Sequence, residues 1–309
     1  MEKNWDCITI GRACIDILTT VKKYPLEDSK IKVSKWIREG GGQASTGACL
    51  IAHLGGKTAY VGCIGQDTEG DNAVEKMLSY EVVCDFVKRS KEVQTPRAFI
   101  AINTNTGSRT IFYEPSFSSP LEYSDLPVNE IKKSKTVLID PQEIAAGTLL
   151  LELMHENNVY GIFDAERVKS GSERLIEDID ALIVSESFFI EYSGEKGLLN
   201  NLHELAAKRK GLTAVTLGDR GSLAVYEGNL YEIPCLPVKV KDTTGAGDNY
   251  HAAFAFAIAK DRPVIDALAF ASAVASLTCT GMGGRSGFPT LEEAGNACQK
   301  VLQKIKRLC

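Results

Sequence analysis

Lys241-Asp242-Thr243-Thr244-Gly245-Ala246-Gly247-Asp248-Asn249-Tyr250-His251 runs without a break into Ala252-Ala253-Phe254-Ala255-Phe256-Ala257-Ile258-Ala259. The second half is small and apolar nearly all round, which predicts a buried helix over Ala246–Ala259 whose first turn is the glycine segment. Such a start leaves N–H groups without partners at the positive end of the macrodipole. Gly245 and Gly247, lacking side chains, let an anion reach that backbone. A carboxylate at Asp248 is out of place in a site that only binds anions. Beside a phosphate it makes sense as the group that takes a proton from an attacking hydroxyl. The same residues also describe a tight turn followed by an acidic first-turn residue favoured by the dipole, and their spelling alone does not separate the two.

Outward from this helix, short β-branched runs alternate with longer segments of helical period. Cys7–Gly11, Thr58–Gly65, Thr136–Asp140, Tyr160–Asp164, Ala181–Ser185 and Ala214–Leu217 read as strands. Gln43–Leu54, Gly70–Ser79, Ile144–Asn157, Glu195–Lys208 and Val264–Cys279 read as further helices. Near-continuously apolar strands alternating with helices predict an α/β fold with a mostly parallel sheet covered on both faces. Two places break the rhythm: Thr19–Gly40, and Thr95–Pro115, where two apolar runs flank the turn-rich Asn103–Ser108. Hairpins do not enter a parallel sheet as crossovers, so these predict a small separate sheet serving as a lid, a dimer contact, or both. With no long linker and no fixed-period repeat, the 309 residues are expected to form one domain, with lid strands inserted at about 12–40 and 95–115.

Composition narrows the function. The chain is 44% hydrophobic and 24% charged, with a net charge of −5, which is ordinary globular composition. Its longest basic run, Lys208-Arg209-Lys210, reads as a solvated helix end rather than a nucleic-acid footprint. No stretch approaches the roughly 18 apolar residues of a membrane span, and the N-terminus lacks a secretory core, so the protein is expected in the cytoplasm. The nine cysteines are odd in number and never spaced C-x-x-C, which predicts reduced, mostly buried thiols. The four histidines, His251 among them, are scattered, so no His/Cys metal centre is expected.

Asp242-Thr243-Thr244-Gly245-Ala246-Gly247-Asp248 resembles the C-terminal motif of the PfkB-type, ribokinase-like carbohydrate kinases without a mismatch. Gly40-Gly41-Gly42-Gln43-Ala44-Ser45-Thr46-Gly47-Ala48 through Leu54-Gly55-Gly56 resembles their N-terminal motif. Read from the residues alone, this second segment is a glycine-led helix start with convergent polar side chains, or an ordinary helix cap. The likeness extends from Gly11 to about Pro289. It implies a three-layer α/β sandwich with a small β-sheet lid, a cytoplasmic enzyme, and transfer of a phosphoryl group from ATP, with Mg²⁺, to a sugar hydroxyl.

The resemblance also assigns residues. Asp248 would be the base and Gly245, Ala246 and Gly247 the anion cradle. Asp16, Gly41, Gly42, Gln43, Thr46 and Arg97 would hold the sugar. Thr216, Gly218, Arg220 and Gly221, with Ala273 and Cys279, would hold the nucleotide; the glycines equally suit a plain hairpin turn, and Ala271, Ala273, Val274 and Ala275 equally suit a core. Asp242, Thr244 and Gly283 would enclose a monovalent cation such as K⁺. Where the family places an Asn and, three residues on, a Glu beside Mg²⁺, this chain has Ser185 and Glu186.

That departure, Thr46 in place of Asn, and Thr278-Cys279-Thr280 ahead of Gly283-Gly284-Arg285 are nearest to the ketohexokinase and sulfofructose kinase branch. A ketose acceptor follows as the expectation. Lys30, Lys32, Arg97 and Arg109 are candidates to neutralise an anionic substrate, and each also reads as a solvated lid charge. A nucleoside kinase of the same fold and a catalytically silent sugar- or nucleotide-binding regulator are the alternatives. A P-loop is excluded at Gly56-Lys57-Thr58, because Ile51 occupies the required upstream glycine position and a strand follows. The expected partners are a small-molecule sugar and ATP, with no nucleic acid and no membrane. Apolar Phe99, Ile111 and Phe112 on the lid point to a homodimer.

Overall fold

A computed structural model describes residues 2–114, 121–193 and 197–308. Pro115 and Glu195, expected limits of the lid segment and of one helix, lie outside the described residues. The chain begins with β1 (Trp5–Ile10), then β2 (Cys14–Val21) and β3 (Trp36–Gly41), followed by α1 (Gln43–His53), β4 (Thr58–Gly65) and α2 (Thr68–Leu78). Next come β5 (Val87–Ser90), β6 (Arg97–Asn103), β7 (Arg109–Tyr113), α3 (Val128–Ile131), β8 (Ser134–Ile139), α4 (Ile144–Glu156) and β9 (Tyr160–Ala165). After α5 (Glu173–Asp178), β10 (Ala181–Ser185), α6 (Glu186–Ser193), α7 (Leu198–Ala207) and β11 (Leu212–Thr216), two antiparallel strands follow, β12 (Ser222–Tyr226) and β13 (Asn229–Ile233). The chain closes with α8 (Ala246–Ala259), α9 (Val264–Thr278), α10 (Leu291–Leu302) and β14 (Lys306–Arg307).

The large sheet runs β14-β13-β12-β11-β10-β9-β8-β1-β4-β5. It is parallel from β11 to β5 and antiparallel from β11 to β14. Alternation along each strand sends residues to opposite faces. Ile8, Val137, Phe163 and Val184 pack beneath α4 to α7, while Cys7, Leu138, Ile162 and Ile183 pack beneath α1, α8, α9 and α10. This is the α/β arrangement the alternating pattern predicts. Helix α8 is buried nearly all round between the sheet, α1 and α9. Each of its fully covered aromatics, Phe254 and Phe256, stabilises the fold by about 1.5–3 kcal/mol.

The second sheet, β3-β2-β6-β7, is the small lid sheet. Register places Asp16 opposite both Glu39 and Ala98, and Leu18 opposite both Ile37 and Ile100. Those residues, with Ile102, Arg109, Ile111 and Tyr113, therefore share the inner face, while Trp36, Phe99 and Phe112 share the outer one. Ile111 is exposed, as Phe112 is, but by this register it lies on the inner side of the sheet.

Two further readings are revised. The helix expected over Glu195–Lys208 is α7, Leu198–Ala207, capped by Gly197 at φ 88°, and α6, Glu186–Ser193, precedes it as a separate helix that was not expected. The Lys208-Arg209-Lys210 run is not simply a solvated end. The half-buried Arg209 guanidinium donates to the Ile176 carbonyl at 2.9 Å, to Thr213 Oγ1 at 2.9 Å, and to the carbonyls of Leu212 and Ile179. Its long side chain folds back over strand and helix ends, and burial pulls its pKa down to about 10.

Candidate active site

The first turn of α8 is built as an open anion site. Gly245 is the N-cap at φ 73°, a left-handed conformation, and a Cβ there would stand 2.7 Å from the Gly284 Cα. Only glycine satisfies both demands. Asn249 N to Gly245 O, 2.9 Å, is the first helical bond, so the Gly247 and Asp248 N–H groups precede the ladder, and no side chain caps them. A Cβ on Gly247 would meet nothing within 4 Å. The turn is anchored from behind, where Asn249 Nδ2 donates to Gly284 O at 2.9 Å. Asp242, 1% exposed, accepts from Thr244 N at 2.9 Å, Thr244 Oγ1 at 2.8 Å and Gly283 N at 2.7 Å.

On one side of this turn lies a cavity of about 650 Å³. Arg109, hydrogen-bonded to Thr243, lines it with Ala246 and Gly247, and apolar Leu236, Val238 and Ala275 also line it. Thr216, Gly218, Gly221 and Cys279 line it; the short turn Gly218–Arg220 is both the β11–β12 hairpin connection and a cavity wall. Ala273 does not line it: with Ala271 and Val274 it is wholly buried in the core. The face α9 turns to the cavity is Ser272, Ala275, Ser276 and Cys279, spaced i, i+3, i+4, i+7. Arg220 turns away to pair with the Glu186 carboxylate. Ser185 Oγ donates to Glu166 O at 2.8 Å and accepts from Phe188 N at 3.0 Å, so it opens α6.

The half-buried Asp248 carboxyl is pushed up to about 7, first by burial and then by the carboxylates of Asp164 and Glu166, with His251 and Arg109 pulling the other way. Carboxylates that resist ionisation this far are poised to accept a proton near neutrality.

On the other side, α1 and α8 start together, Gly47 against Ala252 and Thr46 beside Gly284. Gly42, at φ 94°, caps α1. The Asp16 carboxylate lies against Gly41, where a Cβ would come within 2.2 Å of its Oδ2, and Cys14 Sγ donates to its Oδ1 at 3.4 Å. Burial raises Asp16 above the usual carboxylate range. Gln43 Nε2 donates to Glu166 Oε2 at 3.5 Å. Arg97 is not brought in: its guanidinium is engaged by Glu114 at 3.1 and 2.7 Å in the open at the start of β6.

Other residues at the site escaped the sequence reading. Arg285, 3% exposed, donates to Ser45 Oγ at 2.9 Å and Thr46 Oγ1 at 3.4 Å, in space left by Gly40. Asp140 accepts from Arg12 N at 2.6 Å and Gln142 N at 2.8 Å, and buried Asp164 faces His251. Asp140 and Asp164 had a signal: each follows a β-branched or aromatic run at the carboxyl end of a parallel strand, where open α/β sheets place their ligands. Arg285 had none, because its glycine-rich neighbourhood reads as a helix terminator.

An uncapped helix start between a nucleotide-sized cavity and a carboxylate-bearing, lidded pocket defines a phosphotransferase of the ribokinase-like α/β class. The chain belongs to the pfkB family of carbohydrate kinases, whose family model matches residues 5–291. The ribokinase of Bacillus subtilis (strain 168) is 25% identical, covering 92% of this chain and 96% of its own. The nucleoside kinase of Methanothermobacter thermautotrophicus is 23% identical, covering 95% and 96%. Among solved structures, Arabidopsis thaliana ribokinase complexed with ribose and ATP superposes with a TM-score of 0.81 at 22% identity, covering 97% and 99% of the two chains, which shows the shared fold.

Proposed function

We propose that this chain transfers the γ-phosphoryl of ATP to a hydroxyl of a ketose or ketose derivative. The observation that carries the reading is the Asp248 carboxyl, held near neutrality in its affinity for protons at the uncapped start of α8. ATP lies in the cavity, its adenine toward Leu236, Val238 and Ala275 and its phosphates toward Arg109 and the Gly245–Gly247 turn. The sugar lies against Asp16, Gly41, Gly42, Gln43 and Thr46. Asp248 orients the attacking hydroxyl and takes its proton as the new P–O bond forms and the bond to the ADP oxygen breaks. The free Gly247 and Asp248 amides stabilise charge on the transferring group, about 3–4 kcal/mol per donor in other enzymes.

Mg²⁺ neutralises phosphate charge when bound with ATP, and Glu186, beside the cavity turn and tied to Arg220, is the acidic residue of this chain that supports it. Asp242 suits a neighbouring monovalent cation: it is almost wholly buried and has no ion-pair partner among the described residues. Apolar Trp36, Phe99 and Phe112, clustered at ring separations of 5.2 and 6.1 Å on the outer lid face, support a two-fold dimer through that sheet. The experiment is ADP release across a panel of ketoses, aldoses and nucleosides. Turnover with ketoses supports the reading; preference for nucleosides supports the kinase activity of the Methanothermobacter relative; no turnover with any acceptor marks a silent binding protein.

A further inference from the structure

His251 is the buried titratable group that the transfer reaction above leaves without a task. It lies on α8 one turn after Gly247 and is 3% exposed. Its Nδ1 is 2.7 Å from the Gly247 carbonyl oxygen; its Nε2 is 3.1 Å from the Ile183 carbonyl oxygen and 3.4 Å from Asp164 Oδ1. Three oxygens therefore meet two ring nitrogens.

A neutral imidazole has one N–H. If it donates to Gly247, the Nε2 lone pair faces the Ile183 oxygen, and a proton on Asp164 does not remove that conflict. If it donates to Ile183, the lone pair of Nδ1 faces Gly247 across the shortest of the three contacts. Only the imidazolium donates to both carbonyls and gives the buried Asp164 carboxylate a cation. Burial, the largest influence, lowers the His251 pKa on balance and raises that of Asp164, so it is the geometry of the donors and acceptors that argues for the charged pair. The Gly247 and Ile183 carbonyls, Asp248 and Glu166 oppose burial at the ring. The charged groups around the pair are Asp140 at β8, Asp164 and Glu166 at β9, Asp248 on α8 and Arg109 on β7; β10 contributes only the Ile183 carbonyl.

The geometry points to His251, held as an imidazolium by Asp164, as a positioning residue of the phosphoryl transfer: it locks the Gly247 carbonyl, and with it the turn that carries Asp248, and sets one positive charge beneath the base. This rests on the kinase reading for its catalytic half, while the ion pair stands or falls independently.

Long-range ¹H–¹⁵N NMR of the uniformly labelled wild-type protein reads the ring state directly. His53, His155 and His203 are exposed and give the reference ring signals. At pH 8 the fourth ring is expected to keep the imidazolium pattern in the wild type and to lose it in Asp164→Asn. A neutral fourth ring in the wild type, or one unchanged by Asp164→Asn, overturns the pair. In kinetics, His251→Asn keeps a donor for Gly247 without the charge. It is expected to lower kcat about 10–100-fold, with both KM values within about threefold, and to move the acid limb of the kcat profile to higher pH. A lowered kcat with an unmoved limb makes the residue a packing element and overturns the charge assignment; an unchanged kcat overturns the positioning role. Should the variant not fold, the wild-type spectrum still decides the ion pair. Absence of turnover in the wild type would remove the kinase reading and leave the ring measurement intact.

Discussion

Arg109 Nη1 donates to Thr243 Oγ1 at 2.7 Å, tying the inner face of the lid sheet to the loop that leads into the first turn of α8. Gly107 brings the same hairpin against Val240, which lines the cavity, so the lid edge packs directly on the cavity wall.

Arg109→Met therefore removes a cation from the cavity lining without touching the diglycine helix. The KM for ATP is expected to rise about tenfold or more, as for loss of a charged hydrogen bond, with the KM for sugar much less affected. Steady-state kinetics with each substrate varied in turn checks this.

Gly245 and Gly247 separate strain from function. Gly245→Ala forces a side chain into a left-handed position against Gly284 and is expected to cost about 1–3 kcal/mol of stability. Gly247→Ala meets open space, so the melting temperature should hold while the methyl obstructs the phosphate and lowers kcat/KM for ATP. Thermal denaturation alongside kinetics on both variants distinguishes the two effects.

The raised Asp248 pKa fixes two signs. As the base it must be ionised, so kcat falls as pH drops through about 7. For stability the sign reverses: between its ordinary value of 3.8 and about 7 the folded protein holds a proton that the unfolded chain has released, so this contribution is present at low pH and is lost as pH rises through 7. Asp248→Asn is accordingly expected to melt higher than wild type at pH 8, by a smaller margin at pH 5, and about equally only below its ordinary value of 3.8, a trend that calorimetry across this pH range reads.

Arg285→Met strips the guanidinium from beneath Ser45 and Thr46. A loss of about 2–4 kcal/mol in denaturant unfolding is expected, together with a higher KM for sugar, because those residues open the helix behind the Gly41-Gly42 pair.

Helix α8 was legible because its pattern is local. Small apolar residues from Ala252 to Ala259 can only be buried, and the glycines before them mark the start, so Ala246–Ala259 agrees residue for residue with α8. The parallel strands β1, β4 and β8 to β11 were legible for the same reason, each a β-branched or aromatic run covered on both faces, whereas the parallel edge strand β5, Val87–Ser90, short and only partly buried, was not. β12 to β14 were not, since their short half-buried pattern resembles turns. Nor could composition say which side of α9 meets the cavity: Ala273 and Ala275 are the same residue type, and only packing against α8 and α10 sends one to the core and the other to the ligand. The encounters of Arg285 with Ser45 and of His251 with Asp164 join segments far apart in the chain, and single residues carry no trace of such partners.

Asp248→Asn, assayed for ADP release with the best ketose and for binding of ATP and sugar by titration calorimetry, is the most direct measurement. Both ligands should bind within about threefold of wild type while kcat falls by about 10²–10⁴. A variant that binds both and turns over at nearly the wild-type rate would contradict the assignment of Asp248 as the base and, with it, this account of the site.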